Sequence, residues 1–116
     1  MPWHLLDTLE KGKDPRELLD TLEAIPTIAF LAKRAMLTLY AAENPTHDME
    51  QAADALGDTS EGAWRGARRM AGRLGAENAR LLVAKLLEAD TWAKRGRPRE
   101  ALMLASGHTR KLLAGR

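Results

Sequence analysis

Residues 76–96, AENARLLVAKLLEADTWAKRG, form the stretch that decides the fold of this chain. Its apolar side chains recur at intervals of three and four residues, at Ala79, Leu82, Leu86, Ala89 and Ala93. This spacing places them along one side of an α-helix, which at about 1.5 Å per residue would be roughly 30 Å long. A helix in a protein owes most of its stability to packing of its apolar side. We therefore expect the helices that cover this stretch to define the fold.

The composition of the chain favours helices over strands. Its 116 residues include only 3 Trp, 1 Tyr and 1 Phe, whereas strands prefer aromatic and β-branched residues. No segment alternates apolar and polar residues, and no Asn-Gly or Asp-Gly pair marks a hairpin. We predict a single all-α domain over residues 1–116, a compact bundle of six to seven helices that is large enough to bury a core.

The remaining helices are predicted from apolar spacing and from residues that begin or end helices. Asp14 and Pro15 suit the start of a short second helix, while Asp48 and Ser60 are suitable N-caps for later ones. Gly75 separates the long helix from the segment before it. The predicted segments are 3–11, a short helix after Asp14-Pro15, 27–43, 48–56, 61–74, 76–96 and 98–113.

The segment that follows Pro26 is apolar on nearly every side and ends before Asn44-Pro45. It is too short for a membrane span and carries two adjacent cations, Lys33 and Arg34, near its middle. We therefore predict a buried central helix and no association with a membrane. Lys33 and Arg34 mark its solvated strip, or alternatively face the carboxylates of a partner.

Charge is distributed unevenly along the chain. Residues 1–58 carry 5 Lys and Arg against 11 Asp and Glu, a net charge of −6, and residues 59–116 carry 13 against 5, a net charge of +8. This difference indicates an acidic surface packed on a basic one, within the domain or between partners, or a surface for nucleic acid. Two solvated faces of opposite sign explain it equally well.

No catalytic or metal-binding pattern is present in the sequence. The histidines His4, His47 and His108 lie far apart and have no ligand spacing. There is no Cys, no G-x-S-x-G and no glycine-rich loop after a strand. We expect a non-catalytic protein with no cofactor, no metal and no small-molecule substrate. Acidic residues as early as Asp7 argue against a signal peptide, and we expect a cytoplasmic location.

An ordered set of segments resembles the C-terminal helical domain of the delta subunit of the bacterial DNA polymerase III clamp loader. WHLLDTLEKGKDPRELLDTLEAIP resembles the entry hairpin of that family, and IPTIAFLAKRAMLTLY resembles its next apolar helix. WRGARRMAGRLGAENARLLVAKLLEADTWAKRG resembles a helix, a break and a long Leu-rich helix followed by an acid and a Lys. The resemblance extends over about residues 3–113. It departs from the family at the break, Leu74 to Glu77, and at Asp58.

The resemblance implies a role in assembly. The third domain of delta belongs to the helical collar that holds the pentameric loader together during sliding-clamp loading in DNA replication. The expected partners are therefore other loader subunits, of the gamma/tau and delta-prime type, with DNA contacted indirectly through the complex. The first two, AAA+-like, domains of delta have no counterpart in residues 1–116, which implies an excised or stand-alone third domain. The implied function is packing between subunits and does not include ATP hydrolysis.

Four residues on the long helix and the last helix are predicted to contact partner subunits: Leu87, Asp90, Lys94 and Leu102. Asp90 borders the apolar side of its helix, where it would make a polar contact to a neighbouring subunit or helix end. Alternatively, Asp90 forms an ordinary i,i+4 ion pair with Lys94.

Residues 48–74 also have the outline of a helix-turn-helix, since a short helix ends at Gly57 and a second begins near Ser60. The second helix carries four basic residues that could contact DNA: Arg65, Arg68, Arg69 and Arg73. A small DNA-binding protein is therefore the alternative to the collar domain. A basic helix can equally be a solvated surface.

Overall fold

The structure is a computed structural model that describes residues 2–114 of the chain. Six helices account for most of these residues: α1 (Pro2–Glu10), α2 (Arg16–Leu19), α3 (Ala24–Glu43), α4 (Met49–Leu56), α5 (Glu61–Lys94) and α6 (Pro98–Ala114). Residues 2–114 contain no strand. The prediction of an all-α bundle is confirmed. The bundle measures 38 × 27 × 24 Å along its principal axes.

The two longest helices, α3 and α5, form the centre of the bundle. They pack against each other over their length, α6 lies across both, α1 packs on α6 and α3, and α4 contacts α3. The five apolar residues that define the stretch 76–96 are all buried. Ile28, Leu31 and Ala35 of α3 are buried as well, so the prediction of a buried central helix is confirmed. No helix in residues 2–114 has the length and hydropathy that crossing a bilayer requires.

Helix α5 consists of two segments that meet at Gly75. The backbone of Gly75 has φ 76° and ψ 168°, which lies outside the helical region. Only glycine adopts this conformation readily, because a Cβ would clash with the backbone. The two segments correspond to the predicted helices 61–74 and 76–96. The predicted break is therefore present, as a kink within one continuous run of helix.

Helix α3 begins earlier than the sequence pattern predicts. Pro26 was expected to open the helix, but the helix starts at Ala24 and Pro26 takes its third position. The first intrahelical bond runs from the Thr27 amide to the Glu23 carbonyl, 3.2 Å. In any helix the first amides have no intrahelical acceptor. In α3 these are the amides that precede Thr27. A proline, which lacks the amide hydrogen, is therefore tolerated in this first turn.

Arginines of the basic half donate to main-chain carbonyls at the helix ends of the acidic half. Arg99 donates to the carbonyls of Leu19, the last residue of α2, and of Leu22, three residues further on, both at 2.8 Å. Arg110 bonds the carbonyl of Gly12, 2.8 Å, just after α1. The C-terminal carbonyls of a helix have no intrahelical donor. Arg99 gives one such carbonyl, that of Leu19, a charged donor, and the two arginines also give donors to carbonyls in the segments that follow α1 and α2.

Ion pairs also join the acidic and basic halves of the chain. Arg69 pairs with Glu10 at 3.0 Å, and Arg80 pairs with Glu43 at 2.9 Å. Together with the arginine-to-carbonyl bonds, they show that part of the charge asymmetry is satisfied inside the domain. This is one of the alternatives that the sequence left open.

Replacing Arg99 by methionine is expected to lower the free energy of unfolding by about 1–2 kcal/mol, because two carbonyls lose a charged donor while the apolar stem is retained. Urea denaturation followed by circular dichroism measures this change. Arg97→Met is the matched control, since Arg97 is exposed and has only a 3.5 Å pair with Glu100. Exposed pairs contribute less than about 1 kcal/mol. Equal losses for the two variants would contradict this role of Arg99.

Two serines are expected to respond in opposite directions to the same substitution. Ser106 is buried, and its hydroxyl oxygen has no hydrogen-bond partner within residues 2–114. Ser60 caps α5 and accepts the Ala63 amide at 3.1 Å. Ser106→Ala should stabilise the fold by about 1 kcal/mol by removing an unsatisfied polar group. Ser60→Ala should destabilise it by about 1 kcal/mol. Thermal and urea unfolding of both variants measure the sign of each change in stability. Destabilisation by Ser106→Ala would contradict the assignment of the Ser106 hydroxyl as an unsatisfied polar group.

Candidate protein-interaction sites

The second half of α5 has apolar side chains on two opposite sides. One side is the buried row that packs on α3 and α6. The other points away from the bundle. Its exposed residues include Leu81, Ala84, Leu87 and Thr91, which we call the outer face of α5, and the charged Glu77, Arg80 and Glu88 lie among them. Leu81 and Leu87 are 45% and 48% exposed. A helix that packs on one side needs no leucines here, so Leu81 and Leu87 add exposed apolar area to an otherwise polar side of α5.

Three of the four predicted interface residues lie at the surface. Leu87 belongs to the outer face of α5. Asp90 and Lys94 form an ion pair of 2.8 Å, the i,i+4 pair that was the alternative interpretation of Asp90. The Lys94 side chain is mainly exposed and the Asp90 side chain is largely covered. Asp90 lies one turn and Lys94 two turns beyond Leu87, so the charged pair stands at the edge of the outer face.

Leu102 does not lie at the surface, and its prediction as an interface residue is corrected. The residue is 0% exposed and belongs to the main core with Ala101, Ala105 and Leu113. Helical spacing aligns Leu102 with Ala105 and Leu113, so these side chains enter the core together. The exposed apolar residues of α6 are instead Met103 and Leu104, 61% and 46% exposed.

A second exposed apolar area lies between α5 and α6. Trp92, 39% exposed, and Leu104 line a shallow hollow together with Lys85 and His108. Trp92 is not one of the five apolar residues whose spacing defines the buried side of α5. The available signal was its angular position, since Trp92 follows Leu81 by three helical turns and shares its side of the helix.

The four arginines predicted to contact DNA separate into two pairs. Arg69 binds both carboxylate oxygens of Glu10, at 3.0 and 3.1 Å, and this contact raises the pKa of Arg69. Arg73 donates to the carbonyls of Glu10 and Leu113. Both therefore hold α1, and Arg73 also holds α6, against α5. Arg65 and Arg68 are exposed, and Arg65 has a 3.4 Å pair with Glu61.

A cleft opens where α3 passes the start of α5, and Arg34 lies at its centre. Two adjoining hollows of about 310 and 390 Å³ share Phe30, Arg34, Ser60 and Ala63 in their walls. We call this pair of hollows the Arg34 cleft. The guanidinium group of Arg34 lies 5.6 Å from the centre of the Phe30 ring.

Gly66 makes room for the guanidinium group of Arg34. A Cβ at position 66 would lie 2.7 Å from Arg34 Nη1, so any larger residue would displace that group. Burial lowers the pKa of Arg34, and nearby Glu10 opposes this shift. Within residues 2–114 the guanidinium group makes no hydrogen bond or ion pair. Its five donors are therefore available to a ligand.

The histidines are not brought together by the fold. His47 Nδ1 lies 2.6 Å from the Tyr40 hydroxyl oxygen, His4 is exposed on α1, and His108 lines the hollow beside Trp92. Among residues 2–114, no group of three or more His, Cys, Asp or Glu side chains could hold a metal ion. The candidate sites of this structure are thus apolar and basic surfaces.

Comparison with known proteins does not assign a family. No protein-family model, no curated protein and no solved structure matches the chain. The structure defines the class of the protein as an all-α bundle, and anything finer rests on the residues themselves.

Proposed function

We propose that this chain is a helical assembly module, specifically the collar domain of a clamp-loader delta subunit. In this role it would pack against subunits of the gamma/tau and delta-prime type and contribute to clamp loading in DNA replication. The ordered sequence segments that resemble the delta family support this proposal. Within them, the acid and the lysine of the family correspond to Glu88-Ala89-Asp90 and Lys94.

The outer face of α5 is the observation that carries the proposal. Leucines at positions 81 and 87 are about half exposed on a helix whose opposite side already forms the core. Covering these two leucines with a second helix would remove apolar area from water, which stabilises the contact by roughly 25 cal/mol per Å² of that area. The charged groups beside it, Lys94 and Arg80, would set the orientation of such a helix without contributing most of the affinity.

Size-exclusion chromatography of the chain mixed with gamma/tau and delta-prime subunits of the same organism tests the proposal. We expect co-elution, with full-length delta as the positive control. Leu87→Glu should abolish co-elution by placing a charge in the contact. Ile25→Glu is the matched control, because Ile25 is similarly exposed but lies at the start of α3. If full-length delta assembles and this chain does not, the proposal is refuted.

DNA binding is the alternative proposal, and the exposure of Arg65 and Arg68 beside the α4–α5 turn is what favours it. Each phosphate contact makes affinity fall with salt, by about one log unit per log unit of salt. Because Arg69 and Arg73 are bound to α1, we expect phosphate contacts from Arg65 and Arg68. Log affinity should then fall against log salt with a slope of about two at most. Titration of a duplex at several salt concentrations measures it. Unchanged affinity of an Arg65→Ala/Arg68→Ala double variant would reject this alternative.

A further inference from the structure

We propose that the Arg34 cleft binds an acidic, leucine-containing segment of a partner protein, with the carboxylate held by Arg34. This surface is distinct from the outer face of α5, and the inference does not depend on the clamp-loader proposal. It develops the sequence-based alternative in which Lys33 and Arg34 face a partner's carboxylates.

The position of Arg34 indicates a carboxylate as the bound group. Its guanidinium is half-buried, held between Phe30 and Gly66, and has no acceptor within residues 2–114. A guanidinium group is planar and presents two parallel N–H donors, which match the two oxygens of a carboxylate. Lys33, exposed on the same rim, adds a second positive charge.

The apolar walls of the cleft indicate what must accompany the carboxylate. The 310 Å³ hollow is lined by Phe30, Leu37 and Ala63, with the exposed side chains of Met36 and Leu56 at its edge. Flexible methionine and leucine side chains adapt to a branched apolar group. A segment that places one carboxylate next to a leucine-type side chain satisfies both parts of the cleft.

The acidic residues around the cleft favour a peptide over nucleic acid. Arg34 lines both hollows of the cleft; Asp58 lines the 310 Å³ hollow, and Asp7 and Glu10 line the 390 Å³ hollow. A phosphate backbone carries a charge at every nucleotide, so its neighbouring phosphates would lie close to these carboxylates and be repelled. A peptide that presents one carboxylate among neutral groups limits this repulsion to a single charge, which Arg34 pairs.

Titration of the ¹⁵N-labelled chain with the peptide acetyl-Ser-Glu-Leu-Leu-Ser-Ala-Leu-amide tests the inference. We expect amide shifts to change around Phe30, Arg34 and Ala63, with saturation in the micromolar to millimolar range. The analogue with Gln in place of Glu should bind at least about tenfold more weakly, because it forms no charge-assisted pair. A duplex oligonucleotide should produce no shifts at these residues.

Two variants separate the role of Arg34 from a general effect on folding. Arg34→Met should weaken peptide binding by about tenfold or more, and Gly66→Ala should weaken it while keeping the charge, because its Cβ displaces the guanidinium. Arg65→Met, at an exposed position outside the cleft, should bind as the parent does. Each variant is checked for an unchanged circular dichroism spectrum.

Several outcomes would overturn the inference: no shifts at millimolar peptide, shifts confined to other helices, equal binding of the Gln analogue, or full binding by a folded Arg34→Met or Gly66→Ala. Binding of the duplex in place of the peptide would overturn it in favour of nucleic acid. Because the probe is a peptide and not a loader subunit, any of these results leaves the test of the collar proposal unaffected.

Discussion

Replacing Leu102 by alanine is expected to lower the free energy of unfolding by about 2–5 kcal/mol, the largest effect that we predict for a single substitution in this chain. Leu102 is fully buried between α6 and the central helices. Its truncation removes apolar contacts and leaves a cavity that the surrounding side chains can fill only in part. Urea denaturation, with the slope m unchanged between the proteins, measures the loss as a shift in midpoint.

Leu104→Ala is the matched control for Leu102→Ala, because the two leucines stand two residues apart on the same helix. Leu104 is 46% exposed, so its truncation should cost less than about 1 kcal/mol. A large loss for Leu104→Ala together with a small one for Leu102→Ala would mean that α6 is rotated from the orientation described here. It would also restore Leu102 as a candidate interface residue.

Replacing Gly75 by alanine is expected to destabilise the fold by about 1–3 kcal/mol, because the positive φ and extended ψ of this residue are strained for any residue with a Cβ. Crowding by other parts of the fold is not the cause, since outside the local helix backbone a Cβ at position 75 would meet nothing within 4 Å. The whole penalty therefore comes from the backbone. Thermal and urea unfolding of the variant measure it.

Gly72 provides the control for Gly75, since it lies three residues earlier, before the kink, and has equally open surroundings. Gly72→Ala should stabilise the fold by up to about 1 kcal/mol, because alanine is the better helix former. Destabilisation by Gly75→Ala together with stabilisation by Gly72→Ala would establish the kink in solution. Stabilisation by both substitutions would show that α5 is straight through Gly75.

Local signals made most of the helices predictable. The three-and-four spacing of residues 79–93 predicted which side of α5 is buried, and every member of that set is in the core. Asp48 and Ser60 act as the predicted N-caps, with Gln51 completing a capping box at Asp48. These features depend on contacts within about one helical turn, which a single sequence displays directly.

Features that depend on distant residues were not predictable in the same way. The choice between Leu102 and Leu104 as the buried residue of α6 is made by how α6 lies on α3 and α5, which its own spacing does not specify. The acceptors of Arg99 and Arg110 lie 77 to 98 residues away along the chain. In the sequence, Arg99 and Arg110 are recognisable only as positive charges, and they contribute there to the net charge of +8 of residues 59–116.

The candidate sites show the same division between local and distant information. The exposure of Leu87 and the pairing of Asp90 with Lys94 could be predicted from helical spacing alone. The Arg34 cleft could not, because it forms only when Gly66 of α5 packs against α3. Its sequence signal was limited to two adjacent cations, Lys33 and Arg34, on an otherwise apolar helix.

The most direct test of the assembly proposal uses the absence of cysteine from this chain. Leu87→Cys, labelled with a benzophenone maleimide and irradiated in the presence of gamma/tau and delta-prime subunits, should form a crosslink to one of them. Arg65→Cys, labelled in the same way on the other side of the Gly75 kink, should not. A crosslink from position 87 alone is the predicted result; no crosslink from it, or equal crosslinking from position 65, would contradict the assignment of the outer face of α5 as the subunit contact.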